Sequence, residues 1–225
     1  MSDTVDLKRR RLLQLVALAP FAWQARPWLV RPPDAFAQTL PDDPAIVPTL
    51  EAFADTLIPG EKRSPTDRAI AGVAEGAGAV QAGALDLMNF PPAGVAPALP
   101  AFATGLNAHA LQYAGQHAIV LDPTVPPFVA LAFADRTALL VDILDGSGPD
   151  ELAYFALAAL AFLAYHTAGH LPLVDAVRGG HPGLAAIGFP QPQADGLWHF
   201  TEFSYRRAPS ANREARQSAM TRTEP

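Results

Sequence analysis

Two histidines four residues apart, His166 and His170, are the side chains whose spacing most resembles a reactive site. On a helix this spacing places both imidazoles on one face, as many zinc sites require. Thr167 stands where a zinc protease of this pattern carries its glutamate, and Asp175 is the nearest downstream acid. At the end of an apolar helix the pair could instead interact with the terminal carbonyl groups. We predict no bound metal and keep a site at His166 and His170 as the alternative.

Other catalytic patterns are missing from the sequence. It contains no Gly-x-Ser-x-Gly elbow, dinucleotide fingerprint or phosphate-binding loop. The glycine-rich stretch 71–78 lacks the Lys-Ser/Thr of such a loop and predicts close backbone packing instead. The acids near the start of the domain are scattered, which indicates solvated positions: Asp42, Asp43, Glu51, Asp55 and Glu61. We therefore predict no catalytic residue and no cofactor in this chain.

The N-terminal segment has the order of a bacterial export signal. A basic cluster precedes an apolar stretch at 12–23, and a small-x-small cleavage pattern follows. Adjacent arginines before leucines resemble the twin-arginine signal, which directs folded proteins across the membrane. The apolar stretch is too short to span a bilayer, which takes about 20 residues. The residues that carry this prediction are Arg9, Arg10, Leu12, Leu13, Ala35 and Ala37.

Removal of residues 1–37 would leave 188 residues and change the formal charge from −6 to −9. Such an acidic chain repels phosphate backbones, so nucleic acid is not an expected partner. The chain has no cysteine, which excludes disulfides, thiolate-bound iron–sulfur clusters and covalent c-type haem. We predict an exported protein, on the periplasmic or outer side of the membrane, with one domain at 38–205 and a disordered tail at 206–225.

Helical segments separated by Pro/Gly clusters predict an all-α, irregular helical bundle. A helix at 47–57 ends before Pro59, and Asp67 could cap a second one that breaks near Gly72 and resumes at 79–89. Asp135 could cap the second half of a helix pair at 127–145. Further predictions are a helix at 101–121, Pro/Gly-rich loops at 90–100 and 169–183, and a short strand at 197–205.

The most apolar segment, 152–165, has no polar groups beyond two tyrosine hydroxyls. A helix that is apolar on every side is normally buried, so we predict it at the centre of the bundle. In the helix predicted at 101–121, His109 and His117 share an apolar stripe. This position indicates either buried, hydrogen-bonded histidines or contacts to another protein.

Two blocks of sequence resemble a known family. The first, 50–60, reads as a helix that ends in Ile-Pro-Gly. The second, 166–190, contains His-Thr, a double glycine and Ile-Gly-Phe-Pro. Together with the paired arginines, they resemble the small subunit of membrane-bound gluconate 2-dehydrogenase and of bacterial FAD-dependent glucose dehydrogenase. The chain departs from that pattern at His181, where the family usually has Asn, and at 184–186, where a Trp often stands.

The resemblance implies a noncatalytic accessory subunit. In such systems a large flavoprotein of the glucose–methanol–choline type holds FAD, and the small subunit escorts it through the twin-arginine machinery. The residues that this implies as partner contacts are Leu57, Ile58, Pro59, Ile187, Gly188, Phe189, Pro190, Trp198 and Phe200.

The sequence leaves three alternatives open. The aromatic side chains at 198–205 could dock on a partner or pack on the chain's own bundle. The chain could be a stand-alone exported metalloprotein that uses His166 and His170. It could also be an envelope protein that binds a small ligand near Phe155, Phe162 and Trp198.

Overall fold

The computed structural model describes residues 43–145, 151–194 and 196–198. These residues form eight α-helices and no strand, which confirms the all-α prediction. The predicted signal segment 1–37 and the predicted tail 206–225 lie outside the described residues. The helices are α1 (Ile46–Leu57), α2 (Ala84–Met88), α3 (Leu99–Gln116), α4 (Pro127–Ala130), α5 (Phe133–Asp145), α6 (Glu151–Thr167), α7 (Leu173–Arg178) and α8 (Pro182–Ala186).

Helix α1 begins and ends close to its predicted bounds. Leu50 and Phe53 are fully buried one turn apart, so the helix contributes an apolar face to the core. Ile58 leaves the helical conformation, with φ −136° and ψ 92°. The cause is Pro59, whose ring disfavours a helical conformation in the residue before it.

The main core lies between α1, α3, α4, α5 and α6. Helix α1 packs on each of the other four, and α3 also packs on α4 and α5. Phe128 of α4 and Leu106 of α3 are fully buried in this core. A smaller core joins α7 and α8, where Val177 and Leu184 are buried together.

Helix α6 packs on four other helices, but it is not surrounded. Leu157 and Ala161 are buried on one side, whereas Leu152, with 58% of its surface exposed, and Phe155, with 44%, lie on the other. The burial predicted for this helix at the centre of the bundle is therefore found on one side only. No helix within the described ranges is both long enough and apolar enough to cross a membrane.

The helix predicted to start at Asp67 is absent, and residues 58–83 contain no α-helix. The Asp67 carboxylate accepts hydrogen bonds from the N–H groups of Ala69 and Ile70, both at 3.1 Å, and so stabilises a turn. Gly72 and Gly76 have positive φ, which favours irregular backbone. The helical segment predicted at 79–89 accordingly shortens to α2.

Two helix ends also differ from prediction. Helix α3 ends at Gln116 rather than at 121, and Ala118 follows with a φ of 53°. Val120 is consequently 95% exposed instead of continuing the apolar stripe. Asp135 does not cap α5, because it is the third residue of that helix, which starts at Phe133.

The two predicted loops contain short helices. Two 3₁₀-helices, Pro91–Ala93 and Ala96–Ala98, lie in the first loop, and α7 and α8 lie in and just after the second. Proline occupies an early position in both 3₁₀-helices and in α8, where its fixed φ suits the first turn. Leu197 and Trp198 are not in a strand, and the rest of the predicted strand lies outside the described residues.

Candidate functional site

His166 and His170 do not share a helix face. Helix α6 ends at Thr167, and Ala168 has a φ of 50°, so the chain turns between the two histidines. His166 stays exposed on α6, where its ring stacks on Phe162 with centroids 6.4 Å apart. The i, i+4 geometry that the metal interpretation needs is therefore absent.

His170 instead lies against Gly83, at the start of α2. Its Nε2 would stand 2.4 Å from a Cβ atom at Gly83, so only glycine leaves room for the ring. Its Nδ1 is buried and has no hydrogen-bond partner among the described residues. Burial lowers the pKa of the His170 imidazole, while the nearby Asp86 carboxylate acts in the opposite direction.

The histidine closest to His170 in this arrangement is His181, with ring centroids 6.4 Å apart. Sequence spacing did not single out this pair. In the described part of the chain, no group of three or more His, Cys, Asp or Glu side chains could hold a metal ion.

His181 is the N-cap of α8. Its Nδ1 accepts a hydrogen bond from the N–H of Leu184 at 3.4 Å, and its Nε2 lies 3.1 Å from the carbonyl oxygen of Ala82. Because Nδ1 accepts, Nε2 carries the proton and donates to Ala82. Asn is a favoured N-cap for the same reason, since its side-chain oxygen accepts from a backbone N–H. His181 therefore supplies the same kind of cap acceptor as an Asn side chain.

The Ile-Pro-Gly turn packs directly against the glycine-rich segment. A Cβ on Gly78 would lie 2.5 Å from the carbonyl oxygen of Ile58, and one on Gly60 would lie 2.4 Å from the amide nitrogen of Gly78. Ala79 donates its N–H to Ile58 at 2.9 Å. This contact confirms the predicted close packing at Gly78, whereas a Cβ on Gly76 would meet no atom within 4 Å. Residues 76–83 thus contact both sequence blocks defined above. Ala79 bonds Ile58 in the block 50–60, and Ala82 bonds His181 in the block 166–190.

A buried carboxylate and a buried guanidinium hold the same loop. Asp55 is 1% exposed, and it accepts the N–H groups of Gly60 at 3.1 Å and Ala71 at 2.8 Å. Burial raises the pKa of the Asp55 carboxyl group, against the lowering effects of these two hydrogen bonds and the charge of Arg136. The prediction of a solvated Asp55 is therefore wrong.

Arg136, on α5, is 3% exposed and reaches back to the loop. Its guanidinium donates to the carbonyl oxygens of Ala69 at 2.8 Å, Arg68 at 3.2 Å, Val129 at 2.5 Å and Leu131 at 3.0 Å. Neither Asp55 nor Arg136 was expected to be buried. Both act on the backbone, which identifies them as supports of the loop.

An open cleft of about 430 Å³ lies beside this loop. Among its lining residues, Arg63 bonds Glu51 through two nitrogens, at 2.5 and 2.7 Å, and bonds Asp67 at 2.7 Å. Arg68 pairs with Asp122 at 3.0 Å. The charges of both arginines are therefore already paired within the chain.

The predicted partner contacts lie in different surroundings. Leu57 and Ile58 are half-buried and pack against the main core, and Pro59 is half-buried beside them. Ile187 is 54% exposed, and Gly188 is exposed next to it.

The closing aromatic residues pack on each other. Phe189 meets Trp198 edge-on, with centroids 5.9 Å apart, and the Trp198 indole donates to the carbonyl oxygen of Pro190 at 2.8 Å. Both rings pack against the small core of α7 and α8, so these two aromatic side chains contact the chain's own bundle. Phe200 and the six targeting residues lie outside the described residues.

Comparison with models of known families places most of the chain in a family. Residues 45–222 match the model of a family of unknown function (DUF5987), a range that begins after the predicted signal segment. Comparison with curated proteins and with solved structures finds no match. The matched range covers most of the chain, including both sequence blocks and the buried Asp55 and Arg136. The chain therefore belongs to this family of unknown function, DUF5987.

Proposed function

We propose that this chain is a noncatalytic accessory subunit of an exported oxidoreductase. It binds a folded, FAD-dependent alcohol or sugar dehydrogenase or oxidase of the glucose–methanol–choline type and accompanies it through the twin-arginine route. FAD belongs to the partner in this proposal, and the small chain supplies the export signal and a binding surface. We also propose that the chain is related to the small subunit of gluconate 2-dehydrogenase.

The observation that carries the proposal is the pair Arg9 and Arg10 at the head of the leader. The twin-arginine route accepts proteins that have already folded. A flavoprotein acquires FAD as it folds, so it needs such a route, and a bound subunit with the signal can provide it.

The surroundings of the polar side chains support a noncatalytic role. Asp55, Arg136 and His181 are buried, and each is hydrogen-bonded to backbone groups. These side chains hydrogen-bond the backbone and stabilise it. A partner protein would therefore bind through the surface of the bundle.

Co-expression tests this proposal. The chain and the flavoprotein encoded beside it are produced together, and a tag on the chain is used to purify them. We expect a stable complex whose flavin resides in the larger subunit. We also expect that deletion of residues 1–37 leaves the complex in the cytoplasm.

Two results would overturn the proposal. One is the absence of any complex when both proteins are folded. The other is export of the flavoprotein at an unchanged level without residues 1–37. Substrate turnover by the purified chain alone, without flavoprotein, would contradict its noncatalytic role.

A further inference from the structure

One side of α6 is apolar and exposed from Leu152 to Leu163. Its larger side chains lie at i, i+3, i+10 and i+11, which places them on one face of a helix with 3.6 residues per turn. Their exposed fractions are 58% for Leu152, 44% for Phe155, 42% for Phe162 and 47% for Leu163. We call these four residues, with Ala156 and Ala159 between them, the α6 face.

The opposite side of the same helix is a normal core face. Tyr154, Leu157, Ala158, Ala161 and Ala164 are buried against the bundle. A surface helix usually has polar residues on its outer side, whereas no charged residue occurs between Leu152 and Tyr165. Contiguous exposed apolar patches of this kind mark interaction sites in soluble proteins.

The charges around the α6 face indicate what can cover it. Acids flank its N-terminal end at Asp142, Asp145 and Glu151, and no Lys or Arg occurs between residues 137 and 177. An anionic lipid or nucleic-acid surface would be repelled by this end. A second copy that paired α6 with α6 would bring no exposed Lys or Arg to these acids, because Arg136, the one Lys or Arg of α5 and α6, is only 3% exposed.

We infer that the α6 face is the docking surface for the flavoprotein partner, and that the partner offers an apolar groove with Lys or Arg at the end that meets Asp142 and Glu151. This inference rests on the proposed function and assigns the partner's site on the chain. Helix-in-groove recognition of this type uses apolar side chains at i, i+3, i+4 and i+7 as anchors.

The complex with the adjacently encoded flavoprotein tests the inference. In Phe155→Glu/Phe162→Glu, two charges replace the central anchors, and we expect the affinity to fall by about a hundredfold or more. The matched control is Val73→Glu/Val120→Glu, which adds the same charges at positions 54% and 95% exposed elsewhere. The control should bind within about threefold of the wild type. Circular dichroism verifies that both variants fold.

Charge reversal tests the basic end of the groove. Asp142→Lys/Glu151→Lys should weaken binding by about tenfold at low salt, and the difference should shrink as salt rises. An unchanged affinity at low salt would contradict the basic rim.

Hydrogen exchange on the wild-type complex tests the face without any variant. We expect slower exchange in residues 151–167 upon binding. Protection confined to residues 58–83, with α6 unchanged, would overturn the inference while leaving the proposed function intact. Failure of the wild-type proteins to associate at all would instead remove the proposed function and the inference with it.

Two further outcomes would assign the α6 face to another occupant. Light scattering could reveal a dimer of the chain alone that Phe155→Glu/Phe162→Glu dissociates, which would favour a second copy. Binding to phosphatidylcholine vesicles that the same variant abolishes would favour a membrane. Either result would contradict the inference.

Discussion

The loop at 58–83 and helix α6 each lie in surroundings opposite to those that their composition suggests. The loop is irregular and rich in Gly and polar residues, yet Asp55 and Arg136 fix it with buried hydrogen bonds. Helix α6 is regular and apolar, yet one side of it is exposed. The polar residues Asp55 and Arg136 stabilise the loop, and the apolar residues of the α6 face form the surface that we infer to bind the partner.

Among the substitutions that test this comparison, replacement of Arg136 should lower the free energy of unfolding most. Arg136→Met leaves the Asp55 charge buried without its cation and leaves loop carbonyl groups without a donor. We expect the free energy of unfolding to fall by about 4 kcal/mol, measured by urea unfolding. Arg68→Met, at a side chain 52% exposed, should cost less than about 1 kcal/mol. Equal losses for the two variants would contradict the supporting role of Arg136.

Replacement of Gly78 should cause the next largest loss of stability. In Gly78→Ala the new methyl group would stand 2.5 Å from the carbonyl oxygen of Ile58, so two backbone segments must separate. We expect a loss of more than about 2 kcal/mol in thermal or urea unfolding. Gly115→Ala on α3, where the added Cβ meets nothing within 4 Å beyond its chain neighbours and its own helical backbone, should instead stabilise the chain by about 0.5–1 kcal/mol. A neutral Gly78→Ala would show that the turn is not closely packed.

Loss of the cap of α8 should lower the free energy of unfolding by a smaller amount. His181→Ala removes both the acceptor for Leu184 and the donor to Ala82, and we expect a loss of about 1–2 kcal/mol. His181→Asn retains a cap acceptor and should recover about half of that loss. If Asn is no better than Ala, the ring at 181 does not serve as a cap.

The contribution of Asp67 to the free energy of unfolding should be smaller still, and it should depend on pH. Burial alone would raise the pKa of Asp67, but hydrogen bonds from Arg63, Ile70 and Ala69 lower it below its ordinary value of 3.8. A lowered pKa stabilises the fold above the unfolded value, and this stability is lost as the pH falls through the folded value. The difference between wild type and Asp67→Asn should be about 1 kcal/mol at pH 6 and should shrink towards pH 3. A difference that grows on acidification would contradict this assignment.

The α6 face should contribute least to the stability of the isolated chain. Leu152→Ala, at a side chain 58% exposed, should change the free energy of unfolding by less than about 0.5 kcal/mol. Leu157→Ala on the same helix is fully buried and should cost about 3 kcal/mol. If Leu152→Ala also costs several kcal/mol, its side chain belongs to the core and the comparison between loop and helix fails.

Local patterns were sufficient to predict the long helices. Helix α1 could be predicted from an apolar stripe and the following Pro59, and α5 and α6 from continuous helical segments. The loop at 58–83 could not, because its supports come from distant residues. Arg136 binds Ala69 across 67 residues, and no local pattern encodes that contact.

One sequence signal for this support was available. Arg136 is the only Lys or Arg between Arg68 and Arg178. Such an isolated cation usually has a specific partner. The pair of His170 and His181 was hidden because the chain turns at Ala168, where α6 was expected to present His166 and His170 together.

The most direct measurement of the central claim is the amount of FAD-loaded flavoprotein that reaches the periplasm with each form of this chain. We predict that Arg9→Lys/Arg10→Lys abolishes this export, whereas Arg11→Lys, which retains the arginine pair, leaves it near the wild-type level. Periplasmic flavin that stays unchanged with Arg9→Lys/Arg10→Lys would contradict the account.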